Sequence, residues 1–350
     1  MRKMGRRGVM YPTMRCNTKC KFCYYFDTKE PAWRTRADVM AEASKLRDVF
    51  KLEAVDITGG EPTIYPDIGG LVKHCADIGL KPTIITNGLL TGRIAGLIES
   101  YGLEDVLLSI HGFQDRHSEA VSKPMAWTQV GLTIETLIGR KFPFRTNTTL
   151  TGFCVPDLDR LAKFFVQIKP RIVNFISFNP HPGTKWSEKN GVVFQLKHSD
   201  VAPKLREAIA ILDEAGIWVN VRYFPMCLLK GFEGHVCGFR QWQYDPYEWE
   251  YFSAYGTMTS QLAELDKQAT NERAFGDSVE ERVLNMFASR VVASSMFGEK
   301  CQRCAARVIC DGLYPQYVRN FGTDEVQPYE GEPIRDPLFF REPFRDRWGG

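Results

Sequence analysis

Short apolar runs rich in β-branched residues alternate with longer runs of helical period along the first two thirds of the chain. The strand-like runs lie at 8–14, 54–58, 81–86, 106–110, 144–149, 172–178 and 218–224. The helix-like runs lie at 36–50, 68–78, 92–99, 128–139, 158–168 and 202–215. Asp157 and Ser199 stand where helix N-caps are expected, and Gly79 and Gly216 stand where helices should end. This alternation predicts a parallel sheet with right-handed crossovers, in the form of a partial or complete α/β barrel.

The pattern changes after Pro225, where we place a domain boundary. Residues 241–255 are dense in aromatic and acidic side chains, and residues 278–295 predict one amphipathic helix. We therefore expect a barrel at 1–225, a small domain at 226–332, and an extended or weakly ordered tail, rich in proline and arginine, at 333–350.

The composition is that of a folded protein. Of the 350 residues, 44% are hydrophobic and 25% are charged, which excludes collagen-like, low-complexity and largely disordered chains. No apolar run approaches the ~18 residues of a membrane span, and a net charge of +3 is too small to indicate nucleic-acid binding. The basic start MRKMGRR is not followed by an apolar signal stretch. We expect a cytoplasmic protein without membrane or nucleic-acid partners, in which clustered cysteines indicate metal binding or catalysis.

Eight of the ten cysteines fall into three groups. The groups are Cys16, Cys20 and Cys23; Cys227 and Cys237; and Cys301, Cys304 and Cys310, while Cys75 and Cys154 stand alone. The first group follows directly on the first predicted strand, and loops after strands are where such sheets bind ligands. Three thiolates can hold three irons of a [4Fe–4S] cluster, leaving the fourth iron open to a substrate or cofactor. A zinc knuckle is the alternative, although no histidine lies within the next twenty-five residues to serve as a fourth ligand.

A second motif, Gly59-Gly60-Glu61-Pro62, follows directly on the second predicted strand. Two glycines let a ligand approach the backbone closely, and the Glu61 carboxylate can accept hydrogen bonds from an ammonium group. Taken alone, this tetrapeptide could equally be a plain turn.

Together these two motifs resemble the radical S-adenosylmethionine (radical SAM) superfamily, over residues ~8–224, which implies a (β/α)6 partial TIM barrel with the small C-terminal cysteine-rich domain appended. The resemblance implies that the first three cysteines bind a [4Fe–4S] cluster whose open iron is chelated by SAM. It also implies that Phe22 lies near the adenine and that Gly59, Gly60, Glu61 and Pro62 border the methionyl amine. By strand position it adds the SAM-binding candidates Thr86, Asn87, Ser109 and Asn147. The last two resemble the polar groups that hold the ribose hydroxyls, with ordinary loop chemistry as the alternative.

The chemistry that the resemblance implies belongs to the cofactor. The reduced cluster passes one electron to the sulfonium, and SAM splits into methionine and a 5′-deoxyadenosyl radical. That radical abstracts a hydrogen atom from an unactivated C–H bond of the substrate. A reductant such as flavodoxin or ferredoxin is the implied partner.

The C-terminal cysteines allow two interpretations. On spacing alone they fit a zinc site, because Cys-x2-Cys is half of a zinc ribbon. The arrangement also resembles the SPASM and twitch extensions of radical SAM enzymes, which carry auxiliary [4Fe–4S] clusters. Tyr314 stands where the fuller SPASM pattern has its next cysteine, and no cysteine follows Cys310. The resemblance therefore implies one auxiliary cluster, twitch-like, held by four of the five cysteines: Cys227, Cys237, Cys301 and Cys304 as the expected set, with Cys310 as the substitute. Such a fully ligated cluster favours electron transfer and net oxidation of the substrate, with a structural role as the alternative.

Several single residues are weaker candidates. His111 ends the fourth predicted strand two residues after Ser109 and is a candidate catalytic group, with a structural role as the alternative. Cys154 follows the fifth strand and could return a hydrogen atom from its thiol, although a buried core cysteine is the simpler interpretation. Cys75 lies on an apolar helix stripe and is expected in the core. The basic residues Arg2, Lys3, Arg6 and Arg7 are expected to form a solvated N-terminal end.

Three function hypotheses remain open at this point. The first is a radical SAM enzyme acting on a small molecule such as a sugar or nucleoside, by net oxidation (dehydrogenation) or epimerisation. The second is a peptide-modifying radical SAM maturase. Many of these carry an N-terminal peptide-recognition domain, and the fifteen residues before Cys16 are too few for one, which favours the first hypothesis. The third is a non-catalytic zinc protein that binds nucleic acid, which an anaerobic preparation without absorbance near 400 nm would indicate.

Overall fold

The framework of the molecule is a parallel β-sheet whose strands follow the chain order. The computed structural model describes residues 7–23, 33–180, 185–242, 245, 247, 251–252 and 294–341. The strands are β1 (Arg7–Thr13), β2 (Ala54–Gly59), β3 (Lys81–Thr86), β4 (Asp105–Ser109), β5 (Phe144–Leu150), β6 (Ile172–Ser177), β7 (Trp218–Arg222) and the short β8 (Tyr251–Phe252). They lie in the order β7-β6-β5-β4-β3-β2-β1-β8, and every neighbouring pair is parallel. All seven predicted strands are confirmed, and β8 is an addition beyond them.

Helices connect the strands and supply the apolar layer. They are α1 (Arg36–Asp48), α2 (Ile68–Asp77), α3 (Thr91–Ser100), α4 (Asp115–Ala120), α5 (Ala126–Gly139), α6 (Leu158–Ile168), α7 (Lys185–Phe194), α8 (His198–Glu214), α9 (Phe239–Trp242) and α10 (Pro315–Phe321). The six predicted helices are confirmed, and Gly79 and Gly216 follow the ends of α2 and α8 with φ of +80° and +69°. The α/β prediction of a (β/α)6 partial barrel is therefore correct for the sheet and its crossovers.

Four of the ten helices were not predicted: α4, α7, α9 and α10. The last two are only four and seven residues long, and the first two carry no apolar period. Helix α4 has the sequence DRHSEA, and α7 has KWSEKNGVVF with a glycine inside it. The N-cap prediction also needs a correction: α8 begins four residues earlier than expected, so Ser199 lies inside it and Lys197 is the cap residue. Asp157 does stand at the start of α6, although its side chain makes no capping hydrogen bond.

A layer of buried charges fills the sheet face that is turned away from the helices. Gly8 packs against Leu46 of α1, so its neighbour Arg7 points to the opposite face. There Arg7 Nη1 donates to Asp56 Oδ1 at 2.6 Å, and Arg145 Nε donates to Asp105 Oδ2, with all four residues under 7% exposed. The expectation that Arg7 belongs to a solvated basic end is therefore wrong, and residues 1–6 lie outside the described part of the chain.

The ring of Tyr247 packs against the guanidinium groups of this charged layer. Its ring centroid lies 4.6 Å from the Arg145 guanidinium and 5.5 Å from that of Arg7. Its hydroxyl accepts a 2.6 Å hydrogen bond from Arg171, which directly precedes β6. The aromatic–acidic segment 241–255 thus contributes a packing residue to the barrel, and its remaining residues are described only at 241–242, 245 and 251–252.

Where the structure describes it, the region after Pro225 consists of short turns and short helices packed on the barrel. Single turns of 3-10 helix occur at Met226–Leu228, Glu233–His235 and Glu299–Arg303. The start of the predicted tail is also held, because Arg341 is 3% exposed and donates to Val236 O at 3.1 Å and Asn220 Oδ1 at 3.2 Å. The predicted helix at 278–295 lies outside the described residues except for its last two.

None of the helices described has both the length and the apolar character needed to cross a membrane.

Removing one member of the buried charge layer should cost far more than removing an exposed one. We expect Arg145→Ala to lower the free energy of unfolding by about 3–5 kcal/mol, because Asp105 is left charged and unpaired in the interior. Arg140→Ala is the matched control, since Arg140 pairs with Glu99 at the surface and its loss should cost under about 1 kcal/mol. Urea unfolding of both variants measures the difference, and equal losses would contradict the prediction.

Candidate active site

The cysteine loop that follows β1 is fixed by backbone hydrogen bonds at both ends. Lys21 N donates to Ala120 O at 2.8 Å and Lys19 N donates to Val121 O at 3.3 Å, which attaches the loop to the end of α4. Within the loop, Cys23 N donates to Cys20 O at 3.0 Å and closes a turn. The three thiols are therefore presented by a rigid segment at the carboxyl edge of the sheet.

Two of the three thiols, those of Cys16 and Cys20, lie beside the Thr18 hydroxyl, and Cys23 is a neighbour of Cys20. The Thr18 hydroxyl is 3.1 Å from Cys16 Sγ and 3.6 Å from Cys20 Sγ. Burial, with smaller contributions from the neighbouring Cys23 and Cys16, raises the pKa of Cys20 to about 12. Three thiols that oppose one another's ionisation suit a cationic metal centre, which deprotonates its thiol ligands.

Neither cysteine group is built around a single ion. Among the described residues, no three His, Cys, Asp or Glu side chains form a group that could hold one metal ion. An iron–sulfur cluster makes a different demand, because each thiolate binds its own iron and the sulfurs need not meet at one point. The arrangement of Cys16, Cys20 and Cys23 fits that requirement.

The glycine pair is required by the cysteine loop itself. Gly59 has φ of +125°, and a Cβ at Gly60 would lie 2.1 Å from Arg15 O. Gly60 N donates to Thr13 O at 3.0 Å and Glu61 N donates to Arg15 O at 2.8 Å. The loop after β2 thus runs directly against the residues that lead into Cys16. We predicted that the two glycines let a ligand approach the backbone closely. In the structure they let the backbone of the cysteine loop approach instead.

Glu61 is a buried carboxylate with protein donors around it. Its Oε1 accepts hydrogen bonds from Thr63 and from Thr86 Oγ1 at 2.7 Å, and its Oε2 accepts one from Asn87 N at 2.8 Å. Burial raises the pKa of Glu61, and these hydrogen bonds oppose the rise. The expectation of a carboxylate free for an ammonium group needs refinement. Oε1 is occupied, and the remaining acceptor capacity is on Oε2.

Asn87 connects the end of β3 to the cysteine loop. Its Nδ2 donates to Asn17 Oδ1 at 2.7 Å and lies 3.9 Å from Cys16 Sγ. Pro62 begins a buried turn of 3-10 helix, Pro62–Ile64, that carries Thr63 to Glu61. The predicted residues Gly59, Gly60, Glu61, Pro62, Thr86 and Asn87 are thereby brought beside the three cysteines.

Ser109 and Asn147 face each other across β4 and β5. They are register partners, and they lie on the same sheet face as Asp105 and Arg145 but nearer the carboxyl edge. Asn147 Oδ1 is buried and has no hydrogen-bond partner in the described structure. A buried amide oxygen without a donor suits a ligand hydroxyl, as on a ribose.

His111 packs against Phe22 and is a neutral donor. The two rings meet edge to face with centroids 4.8 Å apart. His111 Nδ1 accepts a hydrogen bond from Thr149 N at 3.2 Å, so the ring proton is on Nε2. Burial, with a smaller contribution from nearby His117, lowers the pKa of His111 to about 3. His111 can therefore donate a hydrogen bond near neutral pH but cannot act there as an imidazolium acid.

Cys154 lies in the core. It is 0% exposed, its thiol donates to Thr149 O at 3.2 Å, and burial raises its pKa to about 12. These contacts give it a local role in closing the turn after β5. Hydrogen-atom return by Cys154 stays a prediction without support from its surroundings. Cys75 is also fully buried.

Four of the five C-terminal cysteines line one pocket. They are Cys227, Cys301, Cys304 and Cys310, beside Tyr329 and Gly312. Three backbone N–H groups donate to these sulfurs: Gln327 N to Cys227 at 3.4 Å, Tyr329 N to Cys304 at 3.4 Å and Gly312 N to Cys310 at 3.3 Å. Burial, with smaller contributions from the neighbouring Cys301 and Cys304, raises the pKa of Cys227 to about 11.

Cys237 lies apart from that pocket. It is 0% exposed, accepts a hydrogen bond from Arg222 Nη1 at 3.5 Å and lies 3.8 Å from Asp245 Oδ2. The expected ligand set contained Cys237 and kept Cys310 as the substitute. The structure instead brings Cys310 together with Cys227, Cys301 and Cys304, because Cys237 points into the barrel beside β7. The broader expectation of four among five remains compatible with the geometry.

Sequence reasoning missed two threonines and a group of aromatic rings. Thr18 lies inside the cysteine motif and Thr63 directly follows the Gly-Gly-Glu-Pro motif, and these positions were the only available signal. Phe178, Trp186 and Phe194 pack with Phe22 next to Cys20. They come from the end of β6 and from α7, whose irregular sequence hid the helix.

Replacing the glycine that touches Arg15 should disturb the cysteine loop. We expect Gly60→Ala to destabilise the protein by about 1–3 kcal/mol and to reduce iron incorporation, because the new methyl group overlaps a backbone carbonyl. Gly96→Ala is the control, since nothing lies within 4 Å of a Cβ there and alanine should stabilise α3 by about 0.5–1 kcal/mol. Thermal unfolding and iron analysis report the outcome, and unchanged values for Gly60→Ala would show that the contact is relieved without cost.

Comparisons with known proteins cover the part of the chain that carries this candidate site. Residues 10–165 match the model of the Radical SAM superfamily. The "Probable GTP 3′,8-cyclase" of Sulfurisphaera tokodaii is 24% identical over 167 residues, which are 47% of this chain and 53% of that protein. The "AdoMet-dependent heme synthase" of Methanosarcina barkeri is 31% identical over 159 residues, 44% of each chain. The chain thus covers about half the length of these curated relatives.

The likeness in fold extends further than the likeness in sequence. The solved structure "Native anSMEcpe with bound AdoMet and Kp18Cys peptide" aligns with a TM-score of 0.59 at 18% identity, over 98% of both chains. The matched range contains both the cysteine loop and the Gly-Gly-Glu-Pro loop. Residues 10–165 therefore carry a radical SAM domain, and proteins of that superfamily are enzymes that bind SAM on a [4Fe–4S] cluster.

Proposed function

We propose that this protein cleaves SAM reductively and uses the resulting radical to abstract a hydrogen atom from a substrate. The observation that carries the proposal is the backbone junction between Thr13–Arg15 and Gly60–Glu61. It places the three-thiol loop against the loop predicted to border the methionyl amine. The radical SAM reaction requires a ligand, SAM, that contacts both loops at once.

The residues of the site would divide the work of holding that ligand. Cys16, Cys20 and Cys23 would bind three irons. When bound, the cluster and SAM supply an electron and a 5′-deoxyadenosyl group that removes a hydrogen atom. Glu61 Oε2 offers an acceptor for the amine, and Asn147 Oδ1 offers one for a ribose hydroxyl beside Ser109.

The remaining side chains would shape the site around the cofactor. Phe22 gives an apolar edge for the adenine, and the neutral His111 can donate to a cofactor or substrate oxygen without a change of charge. Thr86 and Asn87 would hold Glu61 in place. Water must be kept from the radical, and the ring cluster of Phe22, Phe178 and Trp186 supports such exclusion.

We further propose that Cys227, Cys301, Cys304 and Cys310 hold one auxiliary [4Fe–4S] cluster. The support is their shared pocket and the three N–H donors aimed at their sulfurs, which is the hydrogen bonding that tunes such clusters. Four protein ligands leave no open iron, so electron transfer from a substrate radical is the favoured role. That role fits a net oxidation better than an epimerisation.

The substrate proposal is a small molecule such as a sugar or nucleoside. It is supported by relatives whose names describe the conversion of GTP and the synthesis of heme. A peptide substrate is the second candidate, because the structure that matches 98% of this chain carries a bound peptide. Flavodoxin or ferredoxin is the proposed reductant. The division into a barrel at 1–225, a cluster domain at 226–332 and a tail at 333–350 is part of the same proposal.

The first activity test needs no known substrate. Anaerobically reconstituted protein incubated with SAM and dithionite should release 5′-deoxyadenosine and methionine, measured by liquid chromatography. Cys20→Ala should abolish the product, because one iron ligand is lost, whereas Cys75→Ser should retain it. Product from the Cys20→Ala protein at the wild-type rate would overturn the assignment. Stimulation by candidate nucleosides, sugars or peptides then distinguishes the two substrate classes.

The auxiliary site is tested by iron content after removal of the first site. With Cys16, Cys20 and Cys23 all changed to Ala, we expect about four irons per chain to remain. Adding Cys310→Ala to that protein should lower this content, and adding Cys237→Ala should not, because Cys237 lies outside the pocket. No residual iron in the triple variant, or loss with Cys237→Ala alone, would contradict the proposed ligand set.

A further inference from the structure

A buried polar cluster joins three separate parts of the chain next to the site. Ser177 ends β6, His198 begins α8, and Tyr317 and Glu325 come from the C-terminal region. Ser177 Oγ lies 2.9 Å from His198 Nε2, and His198 Nδ1 lies 3.6 Å from Glu325 Oε1. Tyr317 donates its hydroxyl proton to Glu325 Oε1 and accepts a hydrogen bond from His198 N at 2.7 Å.

The charge in this cluster belongs to Glu325. Burial lowers the pKa of His198, so its ring is neutral, and Ser177 can donate to Nε2 while Nδ1–H points to the carboxylate. Burial also acts to raise the pKa of Glu325, but the nearby His198 ring and the hydrogen bonds from Tyr317 and Ser199 N outweigh it and lower that pKa to about 2. A single carboxylate is thus held charged by donors from two elements.

Glu325 also serves as the missing cap of α8. The cap residue Lys197 makes no side-chain hydrogen bond to the helix, and Ser199 N instead donates to Glu325 Oε2 at 3.0 Å. A carboxylate at a helix N-terminus satisfies a free N–H group and complements the helix dipole. The start of α8 is therefore stabilised by a residue more than a hundred positions away.

The same C-terminal region also contacts the aromatic wall of the site, the rings of Phe22, Phe178, Trp186 and Phe194. Asn320 donates to Gln195 Oε1 at 2.7 Å, and Gln195 Nε2 donates to Phe178 O at 3.1 Å. Phe178 contacts Trp186 and Phe194 of α7 on one side and Phe22 of the cysteine loop on the other. Helix α10, which carries Asn320 and Tyr317, is thus linked by hydrogen bonds through Gln195 to the rings beside the first cysteine loop.

The other end of this chain of contacts is the auxiliary pocket. Helix α10 begins five residues after Cys310, and Gln327, two residues after Glu325, donates its N–H to Cys227 Sγ. Ordering of the auxiliary cysteines by a bound cluster would order both flanks of Glu325.

We propose that Glu325 is a positioning residue that couples occupancy of the auxiliary cysteine pocket to the start of α8 and to the aromatic wall carried by β6 and α7. The docking contacts are independent of any cofactor, whereas the coupling rests on the proposed auxiliary cluster. Glu325 itself touches neither cysteine group.

Hydrogen exchange of the full-length, anaerobically reconstituted protein tests this coupling. Glu325→Gln should speed amide exchange in residues 185–201 about fivefold, the effect of losing a cap worth about 1 kcal/mol, with iron content unchanged. Glu325→Asp should restore part of the protection, because it returns the charge. Glu332→Gln is the control, since Glu332 is exposed in the same region. A purely local role would leave residues 185–194 at the wild-type rate.

A second arm tests the link to the pocket. The variant with Cys301→Ala and Cys304→Ala should lose about four irons and show the same faster exchange in residues 185–201. Unchanged exchange there, or in Glu325→Gln, overturns the coupling. Failure of the proposed auxiliary cluster is seen separately, as about four rather than about eight irons in the wild-type protein.

Discussion

The close contact between two backbone segments is the constraint on which the site depends. The residues after β1 and the residues after β2 run side by side, and a carbonyl of one lies where a side chain of the other would begin. Glycine at positions 59 and 60 is what allows this, and the Glu61 carboxylate then binds donors from the next loop. Through these few contacts, three consecutive strand ends become a single surface that presents three thiols.

Much of this arrangement follows from sequence because it depends on local pattern. The strands from Lys81–Thr86 to Ile172–Ser177 are short runs of β-branched or apolar residues, and helices α3, α5 and α6 between them have an apolar stripe, so their order could be predicted. The cysteine and glycine motifs fall at strand ends, where parallel sheets bind ligands. Their proximity is a consequence of the topology.

The parts that escaped prediction depend on contacts distant in sequence. Glu325 caps α8 across 126 positions, and no local signal marks that pairing. Cys237 has the spacing of a metal ligand, yet Arg222 and Asp245 hold it in the barrel interior. Arg7 sits in a basic N-terminal run but pairs with Asp56 because strand alternation turns it inward. In each case contacts between distant parts of the chain determine the environment of the side chain, and the local sequence does not reveal that environment.

One end of the barrel is filled by the charged layer of Arg7, Asp56, Asp105 and Arg145, against which Tyr247 packs. Those guanidinium and carboxylate groups occupy the space at the amino ends of the strands, at the end opposite to the cysteine loop. A carbon radical formed at the carboxyl edge would be separated from that end by buried, paired side chains. Its choice of hydrogen donor would then depend on the loops at the carboxyl edge rather than on the charged layer.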